Sequence, residues 1–411
     1  MLAEMSKFIE RIPKTDLHVH LDGSLRLSTL IDLAKKSKIK LPSYEEAGLK
    51  ELVFKDKYLD LFDYLKGFAY TCDVLRTEEN LERVSYELAL DNIEENVRYI
   101  EVRFAPQLNM SHELNSLERI LLAVNRGLEK ASKEHNIKSD DKIKKGDDIP
   151  FKYGIIVGAM RCFNEHFSPY YKDLIACMPN APQKEVFRIA SLELARAVVK
   201  IRNEHGVPIV GFDLCGEEAG YAPVVHADAY KYVHKNFMGK TVHAGEAFGP
   251  ESIFQAITEC HANRIGHGTY LFSSSKIQDP DITNPKEFSD SLAEYIAGRR
   301  IAIEVCPTSN MQTIPSLKSI KDHPVKEMIK RRISVSICTD NRLMSNTSVT
   351  KELKLVIDNI DITNKQLKDI IIAGFKGSFF SGTYGEHRAF VRLAINRIYK
   401  LENELFGAPI A

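Results

Sequence analysis

The sequence predicts an α/β fold, a single (β/α)8 barrel of the TIM type with extra helices inserted after the first strand. Short β-branched or apolar runs alternate with longer segments of helical periodicity, which is the pattern of a parallel sheet. Eight such runs occur, and a closed barrel of this type needs eight strands. A length of 411 residues suits one barrel with insertions, so we expect residues 1–411 to form a single domain.

The predicted strands are unevenly spaced along the chain. They cover residues 16–20, 99–106, 153–160, 209–216, 240–246, 264–268, 301–307 and 333–341. Between the first two strands, LDLFDYLKGF at 59–68 predicts an extra amphipathic helix in a position where it could cover a site. The segment 133–150 is strongly charged and nearly without aromatic residues, which indicates a solvated loop.

Composition excludes several classes of protein. Hydrophobic residues make up 44% and charged residues 27%, as in ordinary globular domains. Lys plus Arg equals Asp plus Glu at 56 each, so no net field favours nucleic acid or an anionic membrane, and a small neutral ligand fits better. No signal peptide or membrane span is evident. Seven scattered cysteines without a C-x-x-C pair indicate reduced thiols, so we expect a cytoplasmic protein, whose oligomeric state the sequence leaves open.

Histidines at the ends of predicted strands indicate a metal site. His18 and His20 in TDLHVHLDGS are two residues apart on a strand, so both imidazoles project to one face. His243 and His267 end the fifth and sixth strands, and Asp340 ends the eighth. The carboxyl ends of barrel strands converge on one mouth, so these residues should meet there. Three imidazoles and a carboxylate suit Zn²⁺, which in catalytic sites keeps a position open for water.

A carboxyl group near this cluster predicts the type of reaction. Zinc makes a bound water nucleophilic near neutral pH, so hydrolysis is the implied chemistry. Glu246 lies three residues beyond His243, close enough to face a ligand, and a partly desolvated carboxyl there could stay protonated and act as a general acid. The alternatives are a satisfied core histidine at 243 and a glutamate at 246 favoured only by a helix dipole.

Six motifs together resemble the adenosine deaminase family of the metal-dependent amidohydrolase superfamily. They are TDLHVHLDGS, VGFDLCGEE, VHAGEAFGPESI, RIGHG, EVCPTSN and SICTDN, in the order and at spacing similar to the family's, spanning nearly the whole chain. The resemblance implies an enzyme of purine metabolism with one Zn²⁺ per chain. Its reaction would be the hydrolytic deamination of adenosine, and of 2′-deoxyadenosine, to inosine and ammonia.

The resemblance also implies roles for individual residues. The zinc ligands would be His18, His20, His243 and Asp340. His267 would orient and deprotonate the zinc water, and Glu246 would protonate purine N1 as the oxygen adds to C6. The backbone N–H of Gly216 would contact N3, and Asp22 would accept a hydrogen bond from a ribose hydroxyl.

Two further implications concern the residue directly after the metal-binding aspartate, and a lid. The family commonly has a second aspartate contacting N7, whereas this chain has Asn341, whose amide is a natural donor to an unprotonated ring nitrogen. Leu59, Phe62 and Leu65 lie where the family places an apolar lid.

Alternative substrates and one alternative class stay open. Related adenine deaminases tend to carry Glu where this chain has Asp22, so Asp leaves room for a sugar. Adenine, methylthioadenosine and aminofutalosine compounds are the alternative substrates. A nucleotide would call for a basic cluster near the site. A non-catalytic adenosine-binding protein is the alternative from another class.

Overall fold

The computed structural model describes residues 2–407 and confirms the (β/α)8 barrel. Eight parallel strands follow one another in chain order around the barrel. They are β1 Lys14–His20, β2 Val97–Phe104, β3 Lys152–Met160, β4 Ile209–Cys215, β5 Gly239–Ala244, β6 Arg264–His267, β7 Ala302–Val305 and β8 Val335–Ile337. Every predicted strand overlaps one of these, and the largest difference is at β8, which is much shorter than predicted.

Helices and connecting segments surround the strands. Within residues 2–407 the α-helices are α1 Leu2–Arg11, α2 Leu27–Lys36, α3 Glu46–Leu52, α4 Leu61–Leu65, α5 Phe68–Val74, α6 Glu78–Glu94, α7 Pro106–Asn109, α8 Leu117–Lys138, α9 Asp140–Lys144, α10 Pro169–Cys177, α11 Gln183–His205, α12 Ala227–Lys235, α13 Pro250–Thr258, α14 Pro285–Arg299, α15 Pro307–Thr313, α16 Val325–Lys330, α17 Val349–Asn359, α18 Asn364–Gly377 and α19 Tyr384–Phe406. Short 3₁₀ helices lie at Pro223–His226, Ser274–Lys276 and Ile320–Asp322. Because helices cover the outside of the sheet, the barrel strands are buried on both faces.

The barrel closes between β8 and β1 through a few backbone contacts. Val19 and Asp340 form an isolated parallel bridge. The N–H of Asp340 donates to the carbonyl of His18 at 2.8 Å, and the N–H of His20 donates to the carbonyl of Asp340 at 2.7 Å. Asp340 takes a left-handed conformation with φ of 60°, which turns the chain out of the barrel. Closure therefore depends on a residue that also belongs to the predicted metal site.

The insertion after β1 contains the predicted lid segment, but the single helix expected over 59–68 is wrong in its extent. The structure has two short helices there, α4 and α5. At the junction the N–H groups of Gly67, Ala69 and Tyr70 bond to carbonyls three residues back instead of four. This tighter winding interrupts the α-helix.

The predicted loop over 133–150 is also partly wrong, because α8 continues to Lys138 and α9 follows. Ion pairs four residues apart support both helices, from Lys133 to Glu129 at 2.6 Å and from Lys144 to Asp140 at 2.5 Å. The charge of this segment thus belongs largely to exposed helix faces, and the non-helical residues are Ser139, between the two helices, and residues 145–150.

Two global features bear on the class of protein. None of the helices in the described part of the chain has the length and apolar character needed to cross a membrane. All seven cysteines are free thiols, and five of them are buried. Buried free cysteines behave as small apolar side chains.

Buried charged side chains on β2, β6 and β7 form ion pairs with one another. Arg264 donates to Glu304 at 2.6 Å, to Glu101, and to the carbonyl of Gly377 at 2.9 Å. The ring of Phe379 stacks on the Arg264 guanidinium at 3.7 Å, and its backbone N–H donates to Glu101. The arginine and both carboxylates are buried, so each charge depends on its partners for compensation.

We expect Arg264→Ala to destabilise the fold by about 3–5 kcal/mol, because it leaves the buried Glu101 carboxylate without its cation and removes one of the two arginines paired with Glu304. Urea unfolding followed by circular dichroism measures this, with exposed Arg392→Ala as the matched control. A midpoint for Arg264→Ala equal to that of the control would show that the ion pairs do not stabilise the barrel.

Candidate metal centre and active site

Four imidazoles meet at the carboxyl ends of the barrel strands. The rings of His18, His20, His243 and His267 are all buried, and in the five pairs in contact their centroids lie 4.5–5.3 Å apart. The alternation of strand β1 places His18 and His20 on one face, and β5 and β6 contribute the other two rings. The structure thus brings together histidines that are up to 249 residues apart in the chain.

Asp340, three residues after β8, completes the cluster. Its Oδ1 lies 3.3 Å from His18 Nε2 and 3.4 Å from His20 Nε2. Its Oδ2 accepts a hydrogen bond from Ser309 Oγ at 2.6 Å, so one oxygen is anchored and the other faces the imidazoles. Ser309, in the EVCPTSN motif, received no role in the sequence analysis.

Carboxylates behind two of the imidazoles determine which ring nitrogen faces the centre. His18 Nδ1 lies 2.8 Å from Glu304 Oε2, and His243 Nδ1 lies 3.0 Å from Asp213 Oδ2. An ionised carboxylate only accepts, so each Nδ1–H donates and each Nε2 presents a lone pair. Arg103 donates to both acids, at 2.8 Å to Asp213 and 2.7 Å to Glu304. Burial opposes ionisation, but the neighbouring His243 and Arg103 hold the pKa of Asp213 well below its usual range.

The donor set fits a zinc ion. His18 Nε2 and His267 Nε2 are buried and have no hydrogen-bond partner in the described structure. Ligand atoms of His18, His243, His267 and Asp340 all lie within 4.8 Å of one another, and His20 Nε2 lies 3.2 Å from His243 Nε2. Nitrogen and carboxylate oxygen donors in this number are those that Zn²⁺ prefers. Distances alone admit either His20 or His267 as the fourth ligand.

A second metal-compatible grouping shares one residue with this centre. Ligand atoms of Asp213, Cys215 and His243 also lie within 4.8 Å of one another. Asp213 already accepts from Arg103, however, and burial raises the pKa of the Cys215 thiol well above its usual range. A neutral thiol is a poor ligand, so this group supports His243 rather than forming a site of its own.

Glu246 lies beside the imidazoles on the loop that follows β5. Its Oε1 is 3.5 Å from His267 Nε2, and the side chain is buried. Burial raises the pKa of this carboxyl to about 8. A carboxyl with such a pKa suits a proton donor, and the catalytic role expected of Glu246 stays a prediction.

The loop that carries Glu246 is held by Glu218, to which the sequence analysis assigned no role although it lies in the VGFDLCGEE motif. Its buried carboxylate accepts hydrogen bonds from four consecutive backbone N–H groups and one hydroxyl: Gly245 at 2.8 Å, Glu246 at 2.9 Å, Ala247 at 2.6 Å, Phe248 at 2.9 Å and Ser252 Oγ at 2.5 Å. Such a concentration of donors on one carboxylate fixes the course of the loop. This role of Glu218 is visible only in the three-dimensional structure.

A cavity of about 420 Å³ opens next to the centre. His20 and Asp22 line it, as does Gly216, whose φ of 95° favours glycine. Phe62 and Leu65 of the predicted lid also line it.

Leu59 does not join the other two lid residues at the cavity. It precedes α4 and is 79% exposed, and it is not among the side chains that line the cavity. The helix begins only after Asp60, whose side chain caps it by accepting from the N–H of Asp63. Leu59 therefore lies outside the helical face that covers the site.

Asp22 and Asn341 both present polar atoms without partners. Asp22 Oδ1 and Asn341 Oδ1 are buried and accept no hydrogen bond within the described structure. Burial raises the pKa of the Asp22 carboxyl to about 7. Asn341 is not among the side chains that line the cavity; its amide lies against Gly23, where an added Cβ would be 1.7 Å from Oδ1. A side chain at position 23 would therefore require the Asn341 side chain to move.

We expect zinc to raise the thermal unfolding temperature of the metal-free protein, because an ion that binds only the folded state stabilises it, by about 2.7 kcal/mol at 100 times its Kd. Melting of chelator-treated protein with and without zinc measures this, with metal analysis of the same sample. Asp340→Asn should lose most of the shift, and exposed Asp358→Asn should keep it. Equal shifts in the two variants would contradict a metal site at Asp340.

Comparison with known proteins identifies the family of this chain. The family model described as "Adenosine deaminase" matches residues 13–142 and 158–388. An adenosine deaminase of Clostridium botulinum (strain 657 / Type Ba4) is 32% identical over 371 residues, covering 90% of this chain and 95% of the relative.

Solved structures share the fold at lower identity. An amidohydrolase of Burkholderia ambifaria with bound Zn has a TM-score of 0.75 and 17% identity, covering 99% of this chain and 96% of that one. An adenine deaminase of Arthrobacter aurescens has a TM-score of 0.71 and 19% identity, covering 93% and 98%. Arabidopsis ADAL complexed with IMP has a TM-score of 0.71 and 21% identity, covering 96% and 99%. The extent of the family match and the curated relative show that this chain belongs to the adenosine deaminase family.

Proposed function

We propose that this protein hydrolyses adenosine, and 2′-deoxyadenosine, to inosine and ammonia. The proposal includes one Zn²⁺ per chain, held by His18, His20, His243 and Asp340. The observation that carries it is a buried imidazole and carboxylate cluster with the carboxyl of Glu246 beside it, in a member of this family. A hydrolytic deaminase needs both a site that makes water nucleophilic and an acid for the ring nitrogen.

The residues divide the work of the reaction. A zinc ion held by His18, His20, His243 and Asp340 would lower the pKa of a water and so make it nucleophilic at neutral pH. Glu246 donates a proton to N1 of the purine, which makes C6 more electrophilic. His267, whose Nε2 lies 3.5 Å from the Glu246 carboxyl, orients the attacking oxygen. The oxygen bonds to C6, and one of the two water protons passes to the exocyclic NH₂ group. The bond from C6 to that nitrogen then breaks and ammonia leaves, while the other water proton restores the Glu246 carboxyl and N1 keeps the proton it received.

Two groups at the cavity support a nucleoside as substrate. The partnerless Oδ1 of Asp22 is suited to accept a hydrogen bond from a ribose hydroxyl, and Asp22 lines the cavity. Gly216, also in the wall, allows a base to approach its backbone N–H closely because it carries no side chain. Asn341 would contribute its amide to N7 after a small rearrangement toward the cavity.

A second candidate substrate class is a nucleoside with an apolar extension at the 5′ carbon, such as methylthioadenosine. The cavity wall favours it, because Leu108, Met160 and Phe167 line the cavity together with the lid residues. Apolar walls recognise a thioether or methyl group by burial alone. Adenine, which needs no ribose contact, would leave Asp22 without a partner.

A deamination screen tests the function. Zinc-loaded protein should convert adenosine to inosine, seen as a change in ultraviolet absorbance, and deoxyadenosine, adenine and methylthioadenosine give the relative preferences. Glu246→Gln should lower kcat by about 10²–10⁴-fold while zinc stays bound, because the amide cannot donate as an acid. Glu204→Gln, an exposed carboxyl, is the control. Full zinc occupancy with no turnover of any of the four compounds would favour a non-catalytic binding protein.

Glu218→Gln should lower kcat by about 10–100-fold with zinc content unchanged. A glutamine turns one acceptor into an NH₂ group that faces backbone N–H groups, so the loop carrying Glu246 must move. The same absorbance assay measures the rate, and circular dichroism melting verifies the fold. A rate equal to that of the parent would show that the loop keeps its place without the carboxylate.

A further inference from the structure

A series of three hydrogen bonds, called the relay below, links His267 through Asn310 and His323 to the backbone of a distant helix. Asn310 Nδ2, on α15, lies 3.0 Å from His267 Nδ1. Asn310 Oδ1 lies 3.2 Å from His323 Nε2, and the backbone N–H of Val325, at the start of α16, donates to His323 Nδ1 at 3.1 Å. The three side chains are buried, so water does not compete for these bonds.

The backbone N–H of Val325, at one end of the relay, determines the direction of its hydrogen bonds. A backbone N–H only donates, so His323 Nδ1 must accept, and a neutral His323 then carries its proton on Nε2. That Nε2–H donates to the amide oxygen of Asn310, which leaves the amide NH₂ to donate to His267 Nδ1. The reverse direction would set an Nδ1–H of His323 against the N–H of Val325. Burial lowers the pKa of His323 to about 4, so the ring stays neutral at neutral pH.

The same direction assigns the proton of His267. Since Nδ1 accepts from Asn310, the neutral ring carries its proton on Nε2, the nitrogen that is buried without a partner and directed toward the site. His18 and His243 are the opposite case, because carboxylates behind their Nδ1 atoms leave lone pairs on Nε2. An Nε2–H cannot ligate a metal ion. This tautomer therefore excludes His267 as a ligand, although its distance from the other ligand atoms would allow it.

We propose that Asn310 and His323 are positioning residues that hold His267 as its Nε2–H tautomer. His267 then gives a hydrogen bond to the attacking oxygen and leaves the fourth ligand position to His20. The role differs from the one that the family resemblance implies, since a ring that already carries a proton on Nε2 orients the oxygen rather than deprotonating it. This inference rests on the proposed function for its catalytic consequence, but not for the tautomer itself.

Nitrogen NMR of protein with ¹⁵N-labelled histidine tests the tautomer directly, in metal-free and in zinc-loaded protein. The ¹⁵N shift distinguishes protonated from unprotonated ring nitrogens, and the spectrum of His267→Gln identifies the signals of residue 267. We expect Nε2 of His267 to be protonated in both states. A proton on Nδ1 would overturn the proposal.

Asn310→Asp reverses the hydrogen bond between residue 310 and His267 with almost no change in the size of the side chain. A carboxylate accepts from an Nδ1–H and so moves the proton of His267 off Nε2. We expect the NMR assignment to invert and kcat for adenosine to fall by about 10–100-fold, with a much smaller change in KM. Exposed Asn396→Asp is the matched control and should behave as the parent. An unchanged tautomer with an unchanged kcat would overturn the proposal.

A pair of variants at His323 separates the relay from a general effect of added charge. His323→Gln keeps an N–H donor for Asn310 and should lower kcat by less than about threefold, whereas His323→Leu removes the donor and should lower it by about 3–10-fold. Equal losses in two folded variants, verified by thermal melting, would contradict the relay. If no purine is turned over but Nε2 of His267 carries the proton, only the proposed function fails. If adenosine is turned over and Nδ1 carries it, only the relay fails.

Discussion

The backbone junction between β8 and β1 is the contact on which the rest of the site depends. Asp340 exchanges hydrogen bonds with the backbone of His18 and His20, and its left-handed conformation directs its side chain toward the same two residues. Because strand ends in a closed barrel face one mouth, this junction also sets the distance to His243 and His267 across the barrel. The same contacts of Asp340 therefore close the barrel and bring the imidazoles and the carboxylate together.

The hydrogen-bond partner of Nδ1 determines whether the Nε2 of His18, His243 and His267 presents a lone pair or a proton to the centre. Ionised Glu304 and Asp213, both paired with Arg103, receive Nδ1–H from their histidines and leave lone pairs at the centre. The amide of Asn310 behind His267 has the opposite effect. In a buried site, these neighbours decide whether a ring binds a cation or donates to an oxygen.

The supporting contacts come from residues that are inconspicuous in the chain. Glu218 orders the loop of Glu246 by accepting from its backbone, an interaction that no side-chain pattern encodes. Arg342, which follows the metal-site motif, forms an ion pair with Glu95 at 2.5 Å, and Glu95 also accepts from the N–H of Thr350. This arginine therefore connects the segment after β8 to the residue that directly follows α6.

The sequence by itself determined the eight-stranded fold, the family and the strand-end residues. Alternation of strand and helix patterns is local, and barrel closure then brings strand ends such as His18 and His243 together in only one way. Tertiary structure alone decided the break between α4 and α5, the exposure of Leu59 and the neighbours of each ring. Helix breaks and hydrogen-bond partners depend on contacts between segments far apart in the chain, as from His267 to His323, which local patterns do not record.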